Sequence, residues 1–302
     1  MKKTINKNKI KTSKSENIFQ AFNNLFMFVL SLIMLYPVWH VLMASFSDSN
    51  AILGYGGILL KPLGFSTNAY VHMMKNPMII RGYINTIFIV VVGTALNLVF
   101  TAIAAYVLSR KDVYFQKHLM LLIIITMYFS GGMIPTYLVY SKLYMLSDSY
   151  LAILLPGLIN AFNLIILKTS FASVPTSLEE SAKLDGAGHW RILTSIVLPL
   201  SKAALAVMVL YYAVEHWNSW FRASLYLTTR TKYPLQMILR EILISNDTAS
   251  MSPGAGAIED QQAIGETIKY AVIVVATVPI LCVYPFLQKY FVKGVMVGAV
   301  KG

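Results

Sequence analysis

Charge is scarce in this chain. Only 13% of its 302 residues are Asp, Glu, Lys or Arg, against about a quarter in an average soluble domain. Acids are scarcer still, 13 against 25 Lys and Arg, while hydrophobic residues reach 57%. Such a chain cannot cover itself with a water-compatible surface, so an ordinary soluble domain is excluded and a bilayer is the solvent it fits. There is one cysteine, Cys282, inside an apolar run. No intrachain disulfide is possible, and the residue reads as small packing rather than redox chemistry. Chemical signatures are missing as well. There is no Gly-x-x-x-x-Gly-Lys-Ser/Thr phosphate loop, no His-Glu-x-x-His and no Gly-x-Ser-x-Gly, and the five histidines are scattered without metal-ligand spacing. The chain therefore reads as one with no catalytic residues and no metal site.

What is present is apolar length. Six stretches, about 21–46, 83–108, 119–139, 150–171, 203–227 and 268–288, are long enough to cross about 30 Å of hydrocarbon as helices. They lack the period-two alternation of a membrane barrel, which leaves helices as the spanning structure. The first run follows Lys2, Lys3, Lys7, Lys9, Lys11 and Lys14 and invites a signal-peptide reading. It is longer than the roughly 7–15 residues of a signal core and reads as a retained span.

The basic residues sort by loop. They lie in the N-terminal arm, at Arg110, Lys111 and Lys117, at Lys168, Lys183, Arg191 and Lys202, and at Lys289, Lys293 and Lys301. In a six-span chain these segments share one side, so that side is cytoplasmic and both termini lie there. The same distribution explains the net charge of +12 without nucleic acid as a partner. The expected organisation is an all-α, multi-pass integral membrane protein. It has a cytoplasmic arm 1–20, a six-span region 21–288 and a cytoplasmic tail 289–302. On the other side, 47–82 reads as an irregular loop and 246–266 as a mobile one.

The segment 174–199 stands out among the cytoplasmic loops. Pro175 suits a helix entrance, and Thr176 and Ser177 stand three residues before Glu179 and Glu180, a capping-box spacing. Glu179 and Lys183 are one turn apart in the favourable order. Asp185-Gly186 breaks the helix where glycine takes the left-handed conformation freely. A second helix then runs to about Leu198 and stops at Pro199. Small residues at Ser181, Ala182, Ala187 and Gly188 would let one face approach another protein. A helix lying passively at the membrane interface fits the same pattern.

The spacing Glu180-Ser-Ala-x-x-x-Gly186, nine residues, then Ile196-x-Leu198-Pro199 resembles the EAA loop of binding-protein-dependent ABC importer permeases. Ser181 replaces the usual alanine. Leu184-Asp-Gly-Ala and the tail Tyr290–Gly302 are similar to the carbohydrate-uptake branch, in particular its maltose-permease-like second subunit. Trp217-Asn-Ser-Trp-Phe and Tyr233–Arg240 resemble a sub-branch linked to complex oligosaccharides.

The resemblance implies a type I ABC importer permease fold with a cytoplasmic coupling helix. Glu179, Glu180, Ser181, Ala182, Leu184, Asp185, Gly186 and Ala187 would seat in a separate ATPase. Gly298, Ala299, Val300, Lys301 and Gly302 would reach the ATPase dimer. It also implies a second homologous permease as heterodimer partner, two ATPase copies that bind ATP and Mg, and an extracytoplasmic sugar-binding protein. This chain would carry no cofactor of its own. The location implied is a bacterial cell membrane and the substrate an oligosaccharide.

Ionisable residues inside spans are costly and so are functional suspects. Glu215 is the clearest. A continuous helix would put Tyr211, Glu215 and Asn218 on one face with Trp217 and Trp220 beside it. With Asn163 these are the candidate substrate-pathway residues, since aromatic rings and amides suit sugars. An aromatic belt with Glu215 paired to a neighbouring helix fits equally. Asn85, Asn97, Asn160 and Asn163 itself also read as interhelical glue, and Pro135 and Pro156-Gly157 as kinks. A self-contained carrier or channel is the competing class. It would need coupling carboxylates near mid-membrane, and only Glu215 comes close.

Overall fold

The computed structural model describes residues 13–245 and 258–299. All its regular elements among these residues are helical. The first is α1, Lys14–Ser45, followed by the short α2, Ser49–Leu53, and α3, Asn68–Lys75. Next come α4, Pro77–Ser109, then α5, Gln116–Tyr128, and α6, Met133–Leu138, which runs into a π turn at Val139–Leu143. One turn of helix, α7, Leu151–Leu154, precedes α8, Ala161–Ala172. The 174–199 segment holds α9, Thr176–Leu184, and α10, His189–Ile192, a π turn at Leu193–Val197, and α11, Leu198–Leu200. The chain continues as α12, Lys202–Trp217, α13, Trp220–Tyr226, α14, Leu235–Ser245, and α15, Ile258–Ala299.

Helix occurs in every expected span, but only α1, α4 and part of α15 are unbroken helices of spanning length and apolarity. The third is bent by 111° between Tyr128 and Met133, where Gly132 takes a φ of 84°. The fourth is interrupted at 155–160, around Pro156-Gly157. The fifth ends at Trp217 and restarts at Trp220. Such breaks survive at membrane depth only where neighbouring groups satisfy the freed backbone. Here Asn97 of α4 supplies that service, donating through Nδ2 to the carbonyls of Gly157 at 2.7 Å and Leu158 at 3.0 Å.

Two expectations for the loops fail. The 47–82 segment is not irregular throughout. Asp48 caps α2, and Asn76 caps α4 by accepting from the Met78 N–H at 2.9 Å, with Pro77 in the first turn. The 246–266 stretch is not all loop either, because helix begins at Ile258. Residues 246–257 lie outside the described residues.

The chain forms two compact units. One comprises the chain up to Ala69 with the segment ending at Val274; the other takes Tyr70 onward and Val275 onward. In the first, Ala44, Ile52 and Leu59 form a small core with Met43, Leu63 and Tyr270, while the apolar residues of α1 are almost all exposed. In the second, α4 is the spine, packed by α8, α12 and α14. Its core joins Ala105 and Leu108 to Leu167, Phe171, Ile192, Leu193, Met208 and Tyr212. Polar side chains bind these helices together, as expected where surrounding lipid gives apolar faces no incentive to associate. Asn85 donates to the carbonyls of Thr231 and Tyr233, and the Thr86 hydroxyl accepts from the Leu235 N–H at 2.8 Å.

Candidate functional site

The 174–199 segment is a helical hairpin with two different faces. Gly186 has a φ of 79°. The Ala187 N–H donates to the Ala182 carbonyl at 2.9 Å and the Gly186 N–H to the Lys183 carbonyl at 3.0 Å. This is a Schellman stop, and it turns the chain sharply out of α9. Ala182 and Ala187 pack inward against the Phe171–Ile192 core. Glu180, Ser181, Leu184, Asp185 and Gly186 face outward. Leu184 is 90% exposed on a short helix that is otherwise mostly polar.

Glu179 belongs to the inner face. It is 5% exposed and forms an ion pair with Arg110, just past the end of α4. The Arg110 guanidinium also donates to the Ser109 hydroxyl at 2.9 and 3.0 Å and to the Phe171 carbonyl at 3.4 Å, and it lies 4.8 Å from the Tyr106 ring centroid. Tyr106 in turn meets His189 Nδ1 at 3.2 Å.

A second feature lies among α8 and α12. An open groove of about 500 Å³ is lined by Asn160, Phe162, Asn163, Leu210, Tyr211, Val214 and Glu215. Phe162 and Tyr211 tilt together with ring centroids 6.5 Å apart. Glu215 pairs with Arg222, which also donates to the Ile153 carbonyl at 3.3 Å. Behind the groove, α4 and α12 are joined by two buried links. His216 Nε2 meets Asn97 Oδ1 at 2.6 Å, and the hydroxyls of Thr101 and Tyr212 are 2.7 Å apart.

Comparison with known proteins decides the family. No protein-family model matches the chain. It is 45% identical over 282 residues to the polygalacturonan/rhamnogalacturonan transport system permease protein YtcP of Bacillus subtilis (strain 168), covering 92% of this chain and 96% of that one. It is 43% identical over 292 residues to Protein LplC of the same organism, covering 96% and 97%. A chain in the crystal structure of a bacterial ABC transporter involved in the import of the acidic polysaccharide alginate matches with a TM-score of 0.84 and 32% identity, covering 94% of this chain and all of that one. The chain belongs to the sugar ABC importer permeases.

In this permease the expected site residues separate. Tyr211, Glu215 and Asn163 meet at the groove. Asn218 and Trp220 do not line it, because α12 ends before them and the helical face does not continue, and Trp217, the last residue of α12, turns into the interior. Asn218 folds back on the Val214 carbonyl at 3.0 Å, Trp217 is buried edge-on to Tyr83, and Trp220 stacks under Arg240 at 4.3 Å. The capping box at Thr176 and Ser177 is absent. Pro175 holds the cap position and both hydroxyl residues lie inside α9. Glu179 takes Arg110 rather than Lys183, because a buried carboxylate gains more from a buried partner than from an exposed lysine. Pro199 does not stop the second helix. The π turn just upstream widens the hydrogen-bond register, Pro199 sits in the first turn of α11, and the break comes at Ser201 with a bend of 87°. Of the tail, Gly298 and Ala299 end α15, and Val300, Lys301 and Gly302 lie outside the described residues.

A partner for Glu215 on another helix and an interhelical role for Asn97 are expected from the sequence, but their partners Arg222 and His216, and the Arg110 partner of Glu179, are not identified by it. The signal that could have found them is cost. A charged or strongly polar group inside or beside a span needs a partner, so each one implies another.

Proposed function

We propose that this permease forms half of the translocation path of an ATP-driven importer for oligosaccharides, and that its 174–199 hairpin seats in a separate ATPase. The observation that carries this reading is the outer face of the hairpin. A leucine 90% exposed, beside Glu180, Ser181 and Asp185 on a polar helix outside the apolar spans, is apolar surface that docking would remove from water. A partner groove that buries Leu184 and pairs the polar rim accounts for it. The loop charges favour placing this hairpin and both termini on the cytoplasmic side. The rest of the assembly in this proposal is a second homologous permease, two ATPase copies holding ATP and Mg, and an external sugar-binding protein. ATP-driven closure of the ATPases would move the hairpins and rock the spans between inward- and outward-facing packings.

The substrate class we propose is an acidic oligosaccharide. One relative is named for polygalacturonan and rhamnogalacturonan, and the structural neighbour for acidic alginate. The groove holding Tyr211, Asn163 and Glu215 is the place proposed for sugar contact in this chain.

The test is co-purification and ATP hydrolysis by the reconstituted assembly, with Glu180→Ala and Leu184→Asp against the unaltered chain. Both substitutions face outward and spare the core. Each should lower ATPase retention at least tenfold, and mixed-length oligogalacturonates should stimulate the unaltered assembly where maltodextrins do not. Full retention of the ATPase by both variants would reject the docking role. Equal stimulation by maltodextrins would reject the acidic substrate.

A further inference from the structure

The hairpin presents two adjacent glutamates to opposite sides. Glu180 is exposed, whereas the Glu179 side chain is only 7% accessible and its partner Arg110 only 12%. A carboxylate and a guanidinium removed from water this far are costly to keep unless each satisfies the other, so the pairing is a strong geometric constraint on whatever carries it. What carries it is the hairpin that the docking role above sets in motion. Arg110 directly follows α4, and its guanidinium reaches the Phe171 carbonyl at the end of α8 and the Ser109 hydroxyl. It also rests on Tyr106, whose hydroxyl meets His189 in α10. One side chain thus touches the last turn of α4, the last turn of α8 and, through Glu179, α9.

The connection continues along α4. Thr101 and Tyr212 join it to α12, Asn97 joins it to His216 and to the broken fourth span at Gly157 and Leu158, and Thr86 caps the start of α14. A displacement of α9 is therefore delivered to the helix that α8, α12 and α14 pack against. Without the Glu179 link, α9 would be held by the packing of Ala182 and Ala187 and by its flanking chain, contacts that permit sliding.

Resting on the docking role proposed above, we propose that the two glutamates divide the work. Glu180 belongs to the face that meets the ATPase. Glu179 locks the coupling helix to the foot of α4 through Arg110, which makes Arg110 a positioning residue for transport although it touches neither ATP nor sugar.

The experiment uses the full assembly in proteoliposomes, with oligogalacturonates and the binding protein. It measures three quantities for Glu179→Gln, Arg110→Gln and the reversed pair Arg110→Glu with Glu179→Arg: ATPase retained on the permease, ATP hydrolysed, and sugar moved per ATP. Glu179→Gln keeps the side-chain shape and carries the test if Arg110→Gln does not assemble. The expected result is ATPase retention within twofold of the unaltered chain, continued hydrolysis, and at least a fivefold fall in sugar moved per ATP. The reversed pair should recover part of that ratio. A spin-label pair at Lys183 and Val113 should show a broadened distance distribution in Glu179→Gln, a readout that needs no ATPase. An unchanged transport ratio with an unchanged distance distribution overturns the proposal. Loss of ATPase retention in Glu179→Gln equal to that in Glu180→Ala also overturns it, because Glu179 would then belong to the docking face. Failure of the docking role itself would appear separately, as full retention by Glu180→Ala and Leu184→Asp.

Discussion

Gly93 of α4 faces the His216 ring of α12, and Gly93→Ala tests how rigid that contact is. A Cβ built on Gly93 would lie 2.5 Å from His216 Nε2, 2.7 Å from Cε1 and 2.8 Å from Cδ2. The imidazole cannot swing aside freely. It is 3% exposed and pinned by Asn97 at 2.6 Å, and Asn97 also holds the Gly157 and Leu158 carbonyls. Overpacking of this kind costs about 1–3 kcal/mol. Displacing the ring also weakens a buried hydrogen bond worth about 1 kcal/mol. Alanine returns about 1 kcal/mol through its better helix propensity. The net is a destabilisation of about 1–3 kcal/mol, read as a fall of roughly 2–8 °C in the melting temperature of the detergent-solubilised assembly. His216→Ala empties the space, so Gly93→Ala made in that background should be neutral or mildly stabilising. An unchanged or raised melting temperature for the single variant would refute the argument. So would simple addition of the two single effects, since residues in contact are expected to couple.

Two further outcomes follow from other contacts. Asp148 accepts from the Lys232 ammonium at 2.6 Å, from the Thr229 N–H and hydroxyl at 2.9 and 2.7 Å, and from the Thr228 N–H at 3.0 Å. The lysine above all, then the Thr229 bonds, hold its carboxyl well below the usual carboxylate range. A lowered folded-state value means the stabilisation is complete above about pH 4, the ordinary Asp value, and is lost only as pH falls further through the folded value. Asp148→Asn tolerates the same φ of 54°; it should melt lower at pH 7, with the gap to the unaltered chain closing only below about pH 4. A gap that is constant down to pH 3 would count against the clasp. Tyr212→Phe removes a hydroxyl that meets Thr101 and accepts from the Asn160 N–H at 3.3 Å. The cost should be about 1–3 kcal/mol for the buried groups left unpartnered, with Thr101→Val in the same chain recovering part of it in a thermal double-mutant cycle.

What could be read from the sequence was what local chemistry decides. Apolar length alone located helix in each of the six expected stretches, and Gly186 announced its own turn because only glycine adopts a φ near +79° without strain. The breaks were partly legible. Pro156-Gly157 carries its own signal, whereas Ser130-Gly131-Gly132 carries an equally good turn signal that a continuous apolar run overrode. The 203–227 run conceals a helix end at Trp217 in the same way, so the face that would carry Asn218, with Trp220 beside it, does not continue. The Glu179 partner failed for a different reason. Periodicity nominates neighbours within one turn, so Lys183 was the only cation it could offer, while Arg110 lies 69 residues earlier. Yet the constraint that forces the true pair is itself compositional. With so few acids in the chain, each one that is not in an aqueous loop must find a cation or stay protonated. Arg110, one residue beyond the end of the most central helix, is a cation that can snorkel only a short way before meeting α9. In a chain this poor in charge, asking which charges cannot reach water finds the long-range pairs better than asking which residues lie one turn apart.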